Sequence, residues 1–237
     1  MDKDNRNFLL LFDIDGTLIS GKGIPKQVFY EVVLNRFPYL SPDPGIDLSG
    51  QTDPAIVRQV LHSGGYELEI NYELIGEILN DFTSLLNERF RGENSPVVLP
   101  GVQSLLETLR QTENCYLGLV TGNIKKGARI KLKSSGLMEY FPVGAFGDDS
   151  EIRNDLPPLA MRRAAAYYRQ SFTPQNTWII GDSIYDVRCA HANNLHCLAV
   201  ASGRTAHRQL EAEKPDILVR SLEEIDGFFN RIRHHIS

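Results

Sequence analysis

Three short clusters of acidic or hydroxyl residues each follow an apolar run in this 237-residue chain. The first is Asp13-Ile14-Asp15-Gly16-Thr17-Leu18, immediately after Phe-Leu-Leu-Leu-Phe at 8–12. Its i, i+2 spacing puts both carboxylates on one side if the backbone stays extended, and Gly16 allows a sharp turn just beyond them. Two carboxylates so close repel, which raises the pKa of one of them unless a cation or separate hydrogen bonds divide their roles. A divalent metal on one and a proton on the other would do so. A second acidic pair, Asp182 and Asp186 in Gly181-Asp-Ser-Ile-Tyr-Asp186, follows Trp178-Ile179-Ile180, with Asp186 one turn on if a helix starts at Ser183. Between them lies Val120-Thr121-Gly122-Asn123, a hydroxyl and a flexible turn at a helix start, where free N–H groups suit an anion such as phosphate. Each cluster alone reads as an ordinary cap or turn. The inference rests on three strand ends that present carboxylate pair, hydroxyl turn and carboxylate pair in that order.

The elements that must hold these groups are short apolar runs at 8–12, 116–120, 143–146, 178–180, 197–200 and 217–219. Runs of this length bounded by turn residues suggest strands buried on both faces, as in a parallel sheet. Helical spacing of Val102, Leu105, Leu106 and Leu109, a basic helix at 125–133 capped by Asn123, and an alanine-rich helix at 157–170 separate them. Strands alternating with helices from residue 97 onward imply an α/β fold, a doubly wound Rossmann-like parallel sheet, with ligands at the carboxyl ends of the strands. Residues 19–96 break the rhythm and read as helices only. Asp53-Pro54 is expected to open one helix, which Gly64-Gly65 ends, and Asn71 to open another with an apolar face from Leu74 to Leu86. The expected division is a core of residues 1–18 and 97–237 and an all-helical cap of residues 19–96 inserted after the first strand.

Twenty-five basic and thirty acidic residues leave a net charge of −5, which disfavours nucleic acid as a partner. Six basic and eleven acidic residues fall in 19–96, so the whole excess belongs to the proposed cap. No apolar run approaches the roughly 20 residues of a membrane helix, and the polar residues 1–6 do not read as a secretory leader. Cys115, Cys189 and Cys197 lack C-x-x-C spacing and read as buried, reduced thiols, and His234-His235 as a frayed end. These features predict a cytoplasmic protein without membrane or nucleic-acid partners, a monomer or weak dimer.

Asp13-x-Asp15-Gly-Thr-Leu, Thr121-Gly-Asn and Gly181-Asp182-x-x-x-Asp186 resemble the motifs of the haloacid dehalogenase superfamily of phosphatases. The match covers about residues 8–20 and 97–220. The helical insertion resembles the cap of the phosphoglycolate phosphatase and β-phosphoglucomutase branch, with Gly50-Gln51-Thr52-Asp53 similar to a Gly-x-Thr-Asp segment of those caps. The resemblance implies that Asp13 attacks phosphorus and that Asp15 protonates the leaving oxygen and then takes a proton from water. It further implies that Mg2+ binds Asp13, the Asp15 carbonyl and Asp182, with Asp186 as an anchor or an additional ligand. Gly16, Thr121, Gly122 and Asn123 would line the phosphoryl group. An acid at position 15 argues against dehalogenation, which has no alkoxide to protonate.

One element of the family pattern is missing. A lysine is expected before a Lys-Pro-x-Pro-like segment, and the matching stretch is Glu151-Ile-Arg-Asn-Asp-Leu-Pro-Pro158, which places Asn154 at the lysine position. Arg153 is the first candidate for the replacement cation, with Lys125 or Lys126, or no cation in the site at all, as alternatives; the remaining basic residues of 125–133 read as a solvated face. On this reading Arg153→Ala lowers turnover far more than stability. The leading function is a phosphatase acting on a small phosphorylated metabolite, with a β-phosphoglucomutase-like mutase and a non-catalytic binding protein as alternatives.

Overall fold

The computed structural model describes residues 7–225, so residues 1–6 and the His234-His235 pair lie outside the described residues. A six-stranded parallel sheet forms the centre: β1 (Phe8–Phe12), β4 (Cys115–Val120), β5 (Gly144–Ala145), β6 (Thr177–Gly181), β7 (His196–Val200) and β8 (Ile217–Val219). Its order is β5-β4-β1-β6-β7-β8. The chain therefore builds outward from β1 to one side and then to the other, a doubly wound α/β arrangement. The three central strands, β4, β1 and β6, are followed directly by Thr121, Asp13 and Asp182, where the strand order reverses and ligands bind in such sheets.

β1 is buried at all five positions because helices cover both faces. Phe8, Leu10 and Phe12 pack on one side with Leu106 and Leu109 of α4 (Val102–Gln111) and Leu132 of α5 (Lys125–Ser134). Leu9 and Leu11 point to the other face, against α6 (Leu156–Tyr168), α7 (Ile184–Ala192) and α8 (His207–Ala212).

A second apolar cluster belongs to α1 (Ile24–Arg36), α2 (Asp53–Ser63) and α3 (Tyr72–Arg89), around Phe29, Val57, Ile78, Phe82 and Leu86. It also takes in Ile124 at the start of α5, so the helical region packs on the core. Residues 19–96 are not helices only. Ile19–Ser20 forms a two-residue strand, β2, pairing antiparallel with β3 (Val97–Val98), a ribbon too short to carry a periodic signal.

Two expected caps shift. Thr52, with extended φ and ψ, caps α2 and accepts the Ala55 N–H; Asp53 is the first helical residue, which frees its carboxylate for the core. Ile124 rather than Asn123 precedes α5, because the Asn123 amide is engaged inside the site. Among the described residues no helix is long and apolar enough to cross a membrane. The three cysteines are free thiols, and burial pushes the Cys189 thiol up to about 12.

Candidate active site

The strand ends converge on a cavity of about 340 Å³ between the sheet and the helical region. Asp13, Asp15, Gly16, Gly122, Asn123, Arg153 and Asp182 all line it. Thr121 and Asp186, both fully buried, stand behind its wall. Asp13, Asp182 and Asp186 each offer a carboxylate oxygen, and these oxygens lie within 4.8 Å of one another. Such a cluster, made only of buried carboxylates, has the chemistry of a hard divalent cation site. Burial, opposed by Arg153, holds Asp13 at about 6, and burial together with Asp13 raises Asp182 well above the usual carboxylate range. A bound cation would relieve that strain.

Two glycines make room for Asp182. Gly16, with φ of 81°, and Gly203, in the loop after β7, approach its carboxylate so closely that a Cβ on either would overlap it. The Thr17 hydroxyl donates to Asp182 Oδ1 at 3.1 Å, and Ser202 Oγ donates to the Gly16 carbonyl at 2.7 Å. The carboxylate is thus held from several sides by short, local elements.

Arg153 enters the site. It lies in a 3-10 turn just before α6 and is 8% exposed, while Asn154 beside it faces solvent. Its Nη2 is 2.5 Å from Asp186 Oδ1 and 3.2 Å from Asp13 Oδ1. Ser183 occupies the other Asp186 oxygen through N–H and hydroxyl, at 3.0 and 2.6 Å, which makes Asp186 an anchor for the guanidinium. Lys125 and Lys126 do not line the cavity. They border an outer groove with Arg129 and Lys133.

The turn after β4 differs in detail from an open anion cradle. The Thr121 N–H is spent on the Ala145 carbonyl, and the Asn123 N–H and Nδ2 both donate to Thr121 Oγ. The Gly122 N–H has no backbone partner among the described residues.

Lys131 was hidden among the basic residues of α5 and is 3% exposed. Its Nζ lies 2.5 Å from both Asp15 Oδ2 and Asn123 Oδ1. A signal for it exists in the sequence. Residues 125, 129 and 133 share one helical face, whereas Lys131 shares the other with Gly127 and Ala128, both buried.

The helical region meets the core beside the cavity through the loop before α2. Arg153 Nη1 donates to the Gly50 carbonyl at 3.1 Å, Thr52 Oγ to the Glu151 carbonyl at 2.9 Å and the Asp53 N–H to the Gly122 carbonyl at 2.7 Å. The Asp53 carboxylate accepts the Ile124 N–H at 2.8 Å, at the positive end of α5. Burial, partly offset by Lys131, still pushes Asp53 up to about 6. Arg58 grips Glu151 with two nitrogens, at 2.9 and 3.1 Å.

Buried carboxylates after β1 and β6 of a doubly wound sheet suit a hydrolase, and the chain belongs to such a family: residues 10–200 match the haloacid dehalogenase-like hydrolase family. Its relatives include the phosphoglycolate phosphatase of Nitrosococcus oceani, 24% identical over 94% of this chain and 96% of the relative. Pyrophosphatase PpaX of Bacillus pumilus is 23% identical over 91% and 93%. The structure of CbbY from Rhodobacter sphaeroides in complex with phosphate shares the fold, with a TM-score of 0.73 and 19% identity over 92% of this chain and 96% of that one.

Proposed function

We propose that the protein is a magnesium-dependent phosphatase that hydrolyses a small phosphate monoester through an aspartyl phosphate on Asp13. The observation that carries this reading is the buried Asp13 carboxylate, 3.2 Å from the Arg153 guanidinium and facing the same cavity as Asp15 and Asp182. The names of the relatives, a phosphoglycolate phosphatase and a pyrophosphatase, support phosphoryl chemistry on small molecules.

Asp13 attacks phosphorus while the bond to the leaving oxygen breaks, and Asp15 gives that oxygen its proton. The ionised Asp15 then takes a proton from the water that cleaves the aspartyl phosphate, which restores both carboxyls. Arg153 holds Asp13 in place and sets a positive charge beside the phosphoryl oxygens, with the Gly122 N–H as a further donor. Asp13, Asp182 and the Asp15 carbonyl are the residues to hold Mg2+, which when bound would screen the charge between nucleophile and phosphate. Asp186 serves as the anchor for Arg153. The cap excludes bulk water, and its seal at Gly50, Thr52 and Asp53 makes closure part of assembling the site. The cavity suits a small metabolite, and Lys22 and Arg204 on its lining supply positive charge for the rest of a phosphorylated substrate.

A panel of phosphate esters assayed with magnesium, with chelator and against Asp13→Asn tests the reading. Release of free phosphate by the wild type, lost with chelator and in the variant, is expected. Wild-type release no greater than that of Asp13→Asn across the panel would favour a binding protein, and transfer between two positions of one sugar a mutase.

A further inference from the structure

Asp15 is held by two donors on one oxygen. Asn123 Nδ2 lies 2.8 Å and Lys131 Nζ 2.5 Å from Oδ2, while Oδ1 has no hydrogen-bond partner among the described residues. Lys131 and Asn123 are also bonded to each other, Nζ to Oδ1 at 2.5 Å, which closes a triangle around Oδ2. The Asn123 amide is fixed in turn by Thr121 Oγ at 2.8 Å. The Asp15 side chain remains 39% exposed and lines the cavity, so its unbonded oxygen is within reach of a ligand.

Lys131 reaches this point from the second turn of α5, because long side chains on a helix run back toward its N-terminus. Desolvating an ammonium is costly unless it is paired and hydrogen-bonded. Four other cations of the same helix line the outer groove instead.

We propose that Lys131 is a positioning residue for Asp15: with Asn123 it occupies Oδ2, so that the proton given to the departing alcohol is carried on Oδ1, facing the substrate. The inference rests on the phosphatase reading above. As the Asp13–phosphorus bond forms and the phosphorus–oxygen bond to the alcohol breaks, the Oδ1 proton passes to the leaving oxygen. The Asp15 carboxylate left behind already has an ammonium on its other oxygen. In the second half the same Oδ1 takes the proton of the attacking water, and inorganic phosphate leaves. Lys131 therefore matters in proportion to how much protonation the leaving group needs.

The test compares kcat/KM, which counts only the steps up to departure of the alcohol, for an alkyl monophosphate and for p-nitrophenyl phosphate. The aryl oxide leaves without much help from an acid; the alkoxide does not. General-acid catalysis contributes roughly 10²- to 10⁴-fold. Lys131→Met is therefore expected to lose about 30- to 100-fold on the alkyl ester and no more than about 3-fold on the aryl ester. Added to Asp15→Asn, it should cost nothing further on the alkyl ester, because both changes remove one function. Equal losses on the two esters, no loss on the alkyl ester, or a full additive loss in the Asp15→Asn background would overturn the proposal. If Lys131→Met does not melt cooperatively, Lys131→Gln, which keeps a donor without the charge, is measured against the same criteria. A wild type inert toward both esters would instead remove the phosphatase reading, and this proposal with it.

Discussion

In the sheet region the charged groups of the site turn inward, whereas in the helical region most acidic residues face away from the cavity. Asp13, Asp182, Asp186 and Arg153 are all buried. Of the described acidic residues in 19–96, only Asp53 lines the cavity. The others include Glu31, Glu77 and Asp81, which pair at the surface with Arg89 and Arg36. Lys22 and Lys26 of the same region line the cavity. The net charge of −5 therefore says little about the field a substrate meets, which is set by a few inward residues. The sheet region concentrates unfavourable buried charge, and the helical region meets it through a handful of polar contacts.

The largest expected effect falls where the two regions meet the same side chain. Arg153→Ala leaves Asp13 and Asp186 buried without their cation, so the fold should lose about 3–5 kcal/mol, together with turnover. That revises the expectation, drawn from sequence, of a change that spares stability. Arg153→Lys keeps a point charge but not the fork that reaches Gly50. It should retain most of the stability while KM rises; denaturant melts and steady-state kinetics separate the two variants.

Asp182→Asn should split stability from function within the core. Removing one of three crowded carboxylates is expected to stabilise the metal-free protein by about 0.5–2 kcal/mol. The same change should lower magnesium-dependent turnover by at least about a hundredfold. A metal-free melt that falls rather than rises would argue against stored repulsion at this cluster.

Asp53 gives the seam a pH dependence. Its folded-state pKa of about 6 exceeds the ordinary 3.8, so between those values the folded protein holds a proton that the unfolded chain has lost. Stability from this group is greatest below about pH 4 and declines as pH rises toward 6. The decline is on the order of 2–3 kcal/mol, and the lower level persists above it. Asp53→Asn should flatten that part of the curve of unfolding free energy against pH. The smallest effect is expected at Arg58→Ala, which removes a half-buried bidentate pair with Glu151. It should cost about 1 kcal/mol and raise KM more than it lowers kcat.

The core was largely legible because its signals are local. Continuous apolar runs ended at Phe12, Val120 and Ile180, and each became a central strand with the expected residues just past its carboxyl end. The cap's helices were also readable, since Asn71 caps α3 and Gly64 follows α2. Contacts that depend on which way a side chain turns were not. Composition could not separate Lys131 from the four cations around it, nor decide between Arg153, Lys125 and Lys126. Asp53 looked like a cap for its own helix, but its carboxylate serves the start of α5 across the seam.

The claim on which the account turns is that Asp13 carries the phosphoryl group during turnover. The direct measurement is acid quench of the enzyme while it turns over substrate with magnesium, followed by mass spectrometry of its peptides. A phosphate on the peptide containing Asp13, absent from Asp13→Asn, is the predicted result. Substrate consumed at full rate with that peptide unmodified at every quench time, or with the phosphate on another residue, would contradict it.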